Sequence, residues 1–144
     1  MKVMVMVLAT ADSEAGMTPG PEMDEMFRQM GAYNEELVKA GIMQMGEGLK
    51  PTSSGVRITF DGQNRTARHG PFPLDESTLA GFWIWEVKSM DEAIAWAKRC
   101  PNPMPGPSQL EIRPFYEAAD FAELAPKDVL EQEEKLRKKM EKRK

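Results

Sequence analysis

The 144-residue sequence has one cysteine, one histidine and two tyrosines, and it has no long apolar run. The single cysteine, Cys100, excludes an internal disulfide framework and is typical of a cytoplasmic protein. One histidine and one cysteine are too few for a Cys/His zinc site, although a carboxylate metal site stays open. No stretch approaches the roughly 20 apolar residues of a membrane span. We therefore expect neither cofactor nor metal, and no membrane as a partner.

Charge and motifs exclude further classes of function. The net charge is −4, so nucleic acid is not expected as a partner. The charge is uneven, because residues 126–144 carry eight Lys/Arg and five Asp/Glu, which leaves +3 there and −7 on the remainder. Glycine-rich phosphate loops and a Ser/His/Asp pattern are also missing.

The first third of the sequence predicts a strand, a helix and a second strand. Valine and methionine at residues 2–9 indicate a central strand rather than a secretory signal. Thr18 is a natural N-cap for a helix with apolar residues three and four positions apart, and Gly41 ends it. Residues 42–45 begin a strand that the next glycines are expected to break.

The remaining elements are a hairpin, a strand, a helix and a last strand, at residues 56–69, 81–87, 89–100 and 109–114. Asp61-Gly62 signals the hairpin turn, and Ser89 with Glu92 fits a capping box. This order predicts an α+β fold, a ferredoxin-like βαββαβ plan with an additional central β-hairpin. Two helices on one face leave the other face of the sheet bare, so we expect a homodimer joined through its sheet faces.

The sequence divides into a domain at residues 1–121 and a charged C-terminal helical extension at 122–144. Pro126 opens this helix. One side of the helix carries an apolar stripe of Val129, Leu136 and Met140. Three charge pairs, each with the acidic residue four positions before the basic one, are Glu131–Lys135, Glu133–Arg137 and Glu134–Lys138. The basic residues at 138–139 and 142–144 suit an anionic surface, but a solvated helix explains them better than nucleic-acid binding.

Seven short segments match one family, at residues 33–37, 46–49, 70–72, 79–83, 89–93, 96–101 and 111–114. On these segments the sequence resembles the YCII-related proteins, in particular the subgroup named for an Asp-Gly-Pro-Phe motif. The resemblance implies a dimeric α/β barrel. Three positions differ from the family. His69 replaces the aspartate of the motif, and Leu74 replaces the acidic residue that commonly follows it by five positions. Met30, which cannot transfer a proton, stands where the wider family's first helix carries a histidine.

The candidate site residues form a small polar and aromatic set. Histidine exchanges protons most readily near neutral pH, so His69 is the candidate catalytic residue, unless it is a loop histidine without such a task. The candidate ligand-binding residues are Glu47, Tyr33, Phe72, Trp83, Glu111 and Arg113. Core packing explains the aromatic residues equally well, and a surface charge pair explains Glu111 with Arg113.

Three functions follow from these observations. The first is a cytoplasmic homodimer that binds a small organic ligand in a cleft between sheet and helices, or that acts as an accessory protein. The second is a cofactor-independent isomerase or oxygenase that uses His69 as acid–base. The third is a scaffold that recruits a partner through its C-terminal helix.

Overall fold

Six strands and four helices form the structure, a computed structural model that describes residues 1–143. The strands are β1 (Lys2–Leu8), β2 (Met43–Gly48), β3 (Val56–Asp61), β4 (Asn64–His69), β5 (Leu79–Glu86) and β6 (Leu110–Pro114). The helices are α1 (Ala11–Ala15), α2 (Pro21–Lys39), α3 (Met90–Lys98) and α4 (Lys127–Glu141), and short 3₁₀ turns lie at Thr52–Ser54 and Ala118–Phe121. The chain divides into two units, Met1–Pro114 and Phe115–Lys144.

The first unit contains two antiparallel sheets. One has four strands in the order β2-β5-β1-β6, and the other is the hairpin β3-β4. This strand order is that of a ferredoxin-like fold with a hairpin inserted between its second and third strands. The predicted α+β fold with an additional central hairpin is therefore confirmed.

The core lies between one face of the four-stranded sheet and helices α2 and α3. Alternate residues of a strand point to the same face, and those of β1 and β5 that point to the helices are the most deeply buried. The core residues of these four elements are Val3, Val5, Val7, Tyr33, Leu37, Trp83, Trp85 and Ala93. The apolar starting segment thus forms a central strand, as predicted.

The start of the first long helix differs from the prediction. Helix α2 begins at Pro21, its N-cap is Gly20, and Thr18 caps nothing. A residue that precedes proline is pushed out of the helical region, so Gly20 must stay extended and the helix cannot begin earlier. The threonine that does cap a helix is Thr10, whose hydroxyl accepts the Ser13 N–H at 3.4 Å at the start of the unpredicted helix α1.

The end of the second strand was also predicted wrongly, because the glycines after Met45 do not break it. Strand β2 continues through Gly46 to Gly48, with a register shift between Met43 and Met45. A Cβ on Gly46 would lie 2.9 Å from Cδ1 of Trp83. This glycine is therefore required by close packing against an indole ring rather than by a turn.

The base of the hairpin is held by Thr52. Its hydroxyl donates to Glu14 Oε2 at 2.5 Å and accepts the Phe72 N–H at 3.1 Å. Gly70, which precedes a cis peptide bond to Pro71, passes so close that a Cβ there would lie 1.8 Å from the Thr52 carbonyl oxygen. Three segments that are distant in sequence therefore meet at one threonine.

The second unit contains the turn Ala118–Phe121 and helix α4. The rings of Tyr116 and Phe121 lie 4.9 Å apart. The stripe residues Val129, Leu136 and Met140 are 38%, 44% and 58% exposed. None of the three predicted charge pairs of α4 is among the ion pairs of residues 1–143, because long solvated side chains gain little from such contacts. Lys144, the last residue of the predicted basic cluster, lies outside the described residues.

No helix within residues 1–143 is long and apolar enough to span a bilayer.

We predict that Gly70→Ala destabilises the protein by about 2 kcal/mol or more, because the new methyl group would overlap a backbone oxygen that cannot move alone. Gly48→Ala is the matched control, since a Cβ there has no atom within 4 Å and should change stability little or raise it slightly. Urea unfolding of both variants measures the difference. Equal stabilities would contradict the close approach at Gly70.

Candidate functional site

The face of the four-stranded sheet that points away from the core holds three of the predicted site residues, Glu47, Glu111 and Arg113. Residues paired across antiparallel strands share a face, and the pairing gives each strand two residues there. We call this set the outer face: Met45 and Glu47 of β2, Ile84 and Phe82 of β5, Met4 and Met6 of β1, and Arg113 and Glu111 of β6.

The outer face is apolar in the middle and charged at its edges. On the central strands Met6 is buried, at 8% exposure, and Met4, Phe82 and Ile84 are half-buried. Glu47 lies on one edge strand and Glu111 on the other, so three strand spacings, roughly 14 Å, separate them. The carboxylates therefore border an apolar surface from opposite sides rather than forming a pair.

The two charged residues of β6 do not pair with each other. Glu111 and Arg113 are both exposed, and no ion pair between them occurs within residues 1–143. Both charges are therefore available at this edge of the outer face. Their role in ligand binding stays a prediction.

Tyr33 and Trp83 lie on the opposite, helix-covered side of the sheet. Tyr33 Oη donates to the Trp96 carbonyl at 2.7 Å, and Trp83 Nε1 donates to Asn34 Oδ1 at 2.9 Å. Their rings meet edge to face, with centroids 6.2 Å apart. Burial raises the pKa of Tyr33 well above its usual range, and nearby Cys100 adds to the increase. These residues join α2 to β5 and α3, so the structure does not bring them together with Glu47, Glu111 and Arg113.

Part of Tyr33 also borders a shallow hollow of about 360 Å³, lined by Gln29, Ala32, Tyr33, Glu36, Arg99 and Pro101. The two charges in it already satisfy each other, because Arg99 donates to Glu36 Oε2 at 2.5 Å. Arg99 also lies over the Trp96 ring, 4.4 Å from its centroid. The hollow therefore offers a ligand few unsatisfied polar groups.

Phe72 lies beneath the hairpin, in contact with two arginines that the sequence analysis missed. The guanidinium carbons of Arg57 and Arg68 are 4.1 Å and 5.0 Å from the centroid of its ring. These arginines are opposite each other in the hairpin register. The Asp61-Gly62 signal lies one residue away from the observed turn. A turn centred on Asp61-Gly62 pairs Arg57 with Thr66, whereas the turn found is centred on Gly62-Gln63 and pairs Arg57 with Arg68.

His69 lies at the end of β4, opposite Val56, and it is exposed. Adjacent strand residues point to opposite faces, so its side chain lies on the other side of the hairpin from Arg68. No hydrogen bond or ion pair of its side chain occurs within residues 1–143. Because no hydrogen bond or ion pair of residues 1–143 orients the His69 ring, its catalytic role stays a prediction.

No group of three or more His, Cys, Asp or Glu side chains within residues 1–143 is placed to hold a metal ion. Met30, at the position of the family's helical histidine, packs half-buried against the core.

Residues 1–116 match the family model of the YCII-related domain. The chain belongs to this family. An uncharacterised protein of Rhizobium meliloti is 27% identical over 110 residues, which cover 76% of this YCII-related chain and 89% of the relative. Because this relative is itself uncharacterised, it suggests no activity for the chain. Membership of the Asp-Gly-Pro-Phe subgroup stays a prediction.

We predict that the stability of this YCII-related protein falls between about pH 9 and 11 partly through Cys100. Burial raises the pKa of its thiol from 9.0 to about 11. Over this range the unfolded chain loses the thiol proton while the folded chain keeps it, so rising pH favours unfolding.

The matched variant is Cys100→Ser, which keeps a donor for the Pro101 carbonyl that the thiol contacts at 3.2 Å. Urea unfolding at pH 8 and pH 10.5 should show a smaller loss of stability in the variant than in the wild type. The same loss in both proteins would contradict a raised thiol pKa.

Proposed function

We propose that this YCII-related protein is a cytoplasmic homodimer that packs outer face to outer face and binds a small organic molecule between the two sheets. The observation that carries the proposal is the composition of the central strands. Antiparallel sheets with one solvated face place polar residues there. Here β1 and β5 place Met4, Met6, Phe82 and Ile84 on that face instead.

In a two-fold dimer the same patch serves both subunits. We propose an axis parallel to the strands, which lays the β2 edge of one copy over the β6 edge of the other and closes the two sheets into a barrel. Residues of one register row stay at the same height in this arrangement, so Glu47 of one copy lies over Glu111 of the other.

The outer face also has the composition of a ligand site. Small-molecule sites are mostly apolar and contain a few polar groups that fix the orientation of the ligand. Methionines adapt their shape to irregular ligands, and three of them, Met4, Met6 and Met45, belong to this face. Glu47 and Glu111 supply acceptors at its edges. This composition suits an apolar molecule with a hydrogen-bond donor or a positive charge.

Phe82→Lys should convert the dimer to a monomer, because an ammonium group buried between two apolar sheets costs several kcal/mol. Light scattering at micromolar concentration should give twice the chain mass of 16.2 kDa for the wild type and the single mass for the variant. Phe60→Lys is the matched control, since Phe60 lies on the hairpin, is 71% exposed and should leave the dimer intact. A monomeric wild type would refute the proposed dimer.

Ligand binding is tested by a thermal-shift screen of a metabolite library, since binding to the folded state raises the unfolding temperature. A ligand of the outer face should stabilise the wild type and His69→Ala equally, and Glu47→Gln less. A ligand whose effect disappears only in His69→Ala would instead support the enzyme hypothesis. Deletion of residues 126–144 should leave the thermal shift unchanged.

The scaffold hypothesis has one observation in its favour. The stripe of α4 is exposed at Val129, Leu136 and Met140, and Lys138 and Lys139 add positive charge to the last turn of the same helix. Recruitment of a partner that is lost on deletion of residues 126–144 and retained in Phe82→Lys would support this second function.

A further inference from the structure

One face of the hairpin β3-β4 concentrates arginine and threonine. The register pairs Arg57 with Arg68 and Thr59 with Thr66, so these four side chains point to the same side. All four residues are exposed. Like charges directly opposite each other in a sheet are destabilising, so this pair of arginines requires either a compensating contact or a ligand.

The Phe72 ring holds the two arginines without neutralising them. Both guanidinium groups lie within 5.0 Å of the ring centroid, where the ring attracts cations. Phe72 is itself fixed, since its side chain is buried and its N–H donates to Thr52 Oγ1 at 3.1 Å. Two long side chains are thus brought to one place by a rigid apolar support.

The positive charges of Arg57 and Arg68 are not neutralised by an ion pair with a carboxylate. Within residues 1–143 neither Arg57 nor Arg68 forms an ion pair within 4.0 Å. An acid that interacts with Arg57 is Asp75, whose pKa is held below its usual range mainly by hydrogen bonds from Ser77, with a smaller contribution from Arg57. Its Oδ1 accepts the Ser77 N–H at 2.8 Å and the Ser77 hydroxyl at 2.5 Å. The carboxylate is therefore engaged within its own turn.

We propose that Arg57 and Arg68, supported by Phe72, form a binding site for the oxyanion group of a small molecule, a carboxylate or a phosphate. Guanidinium groups recognise both anions through paired N–H donors. The hydroxyls of Thr59 and Thr66, two residues farther along the hairpin on the same face, supply additional donors. A single anionic group fits better than a polyanion, because the sequence outside residues 126–144 has a net charge of −7.

This site is complete in one chain and does not depend on the dimer proposed above. It also differs from the outer face, where Glu47 and Glu111 favour donors and cations. Phosphate binding should therefore survive in the monomeric Phe82→Lys variant. Loss of phosphate binding in a folded Phe82→Lys monomer would overturn the claim that one chain suffices.

The same hairpin contains a matched control. Arg65 lies over the Phe60 ring, 4.7 Å from its centroid, but it points to the opposite face and has no second arginine across from it. Its Nη1 donates to the carbonyls of Gly62 and Asn64, both at 2.8 Å. Arg65 shares the residue type, the exposure and the aromatic contact, but it lacks the paired charge, and its Nη1 is engaged by backbone carbonyls.

The test is a titration of the full chain with sodium phosphate, and separately with sodium acetate, at constant ionic strength, followed by NMR of the arginine Nε–H groups. The signals of Arg57 and Arg68 should shift with saturation, and that of Arg65 should not. Arg57→Gln and Arg68→Gln should each weaken binding at least tenfold, whereas Arg65→Gln should change it less than twofold. Tighter binding of phosphate or of acetate assigns the anion, and either result supports the site.

The Arg57→Lys variant separates a loss of affinity from a loss of the folded hairpin. It keeps a cation on the Phe72 ring but loses the forked donors, so the unfolding temperature should stay near that of the wild type while the affinity falls. The proposal is overturned if neither anion shifts the Arg57 and Arg68 signals more than that of Arg65. It is also overturned if affinity survives both glutamine changes, since the two arginines would then only hold the hairpin on Phe72.

Discussion

The alternation of side chains along β5 is the constraint on which the rest of the first unit depends. Trp83 and Trp85 point into the helix-covered core, and Phe82 and Ile84 point to the outer face. A strand with large apolar residues on both faces is stable only when both faces are covered, because apolar side chains exposed to water cost free energy. Helices α2 and α3 cover the first face, and the proposed second copy covers the other.

The tight base of the hairpin has a different physical origin. Gly70 and Thr52 approach so closely that no side chain fits between them, and the Thr52 hydroxyl connects Glu14 to the Phe72 backbone. Side chains emerging just above this base have a defined position, because the backbone below them cannot shift freely. Exposed arginines would otherwise sample many rotamers, and ordering them for a ligand would cost free energy.

Local patterns predicted the order of elements well and the site poorly. The alternation at residues 56–60, the hairpin turn and the Ser89 cap each depend on neighbouring residues, and each was found in the structure, with the turn centred one residue after the predicted Asp61-Gly62. The start of α2 was misplaced because Thr18 was taken as the cap without the restriction that Pro21 imposes on Gly20. The candidate site was divided because both faces of β5 are apolar, so its pattern cannot tell which side the helices cover. Arg57 and Arg68 were missed because their proximity follows from register, and each residue alone reads as an ordinary surface charge.

The hairpin β3-β4 pairs only with itself in the described sheets, and this gives it unusual freedom to vary in length. Residues added or removed as matched pairs at the Gly62 turn would leave the register at the base unchanged, so Arg57 would still face Arg68. The four-stranded sheet has no such freedom, since a one-residue change in β1 or β5 would exchange its two faces. Within one small domain, the part that presents charge can therefore be remodelled by insertion and deletion, while the part that builds the core cannot.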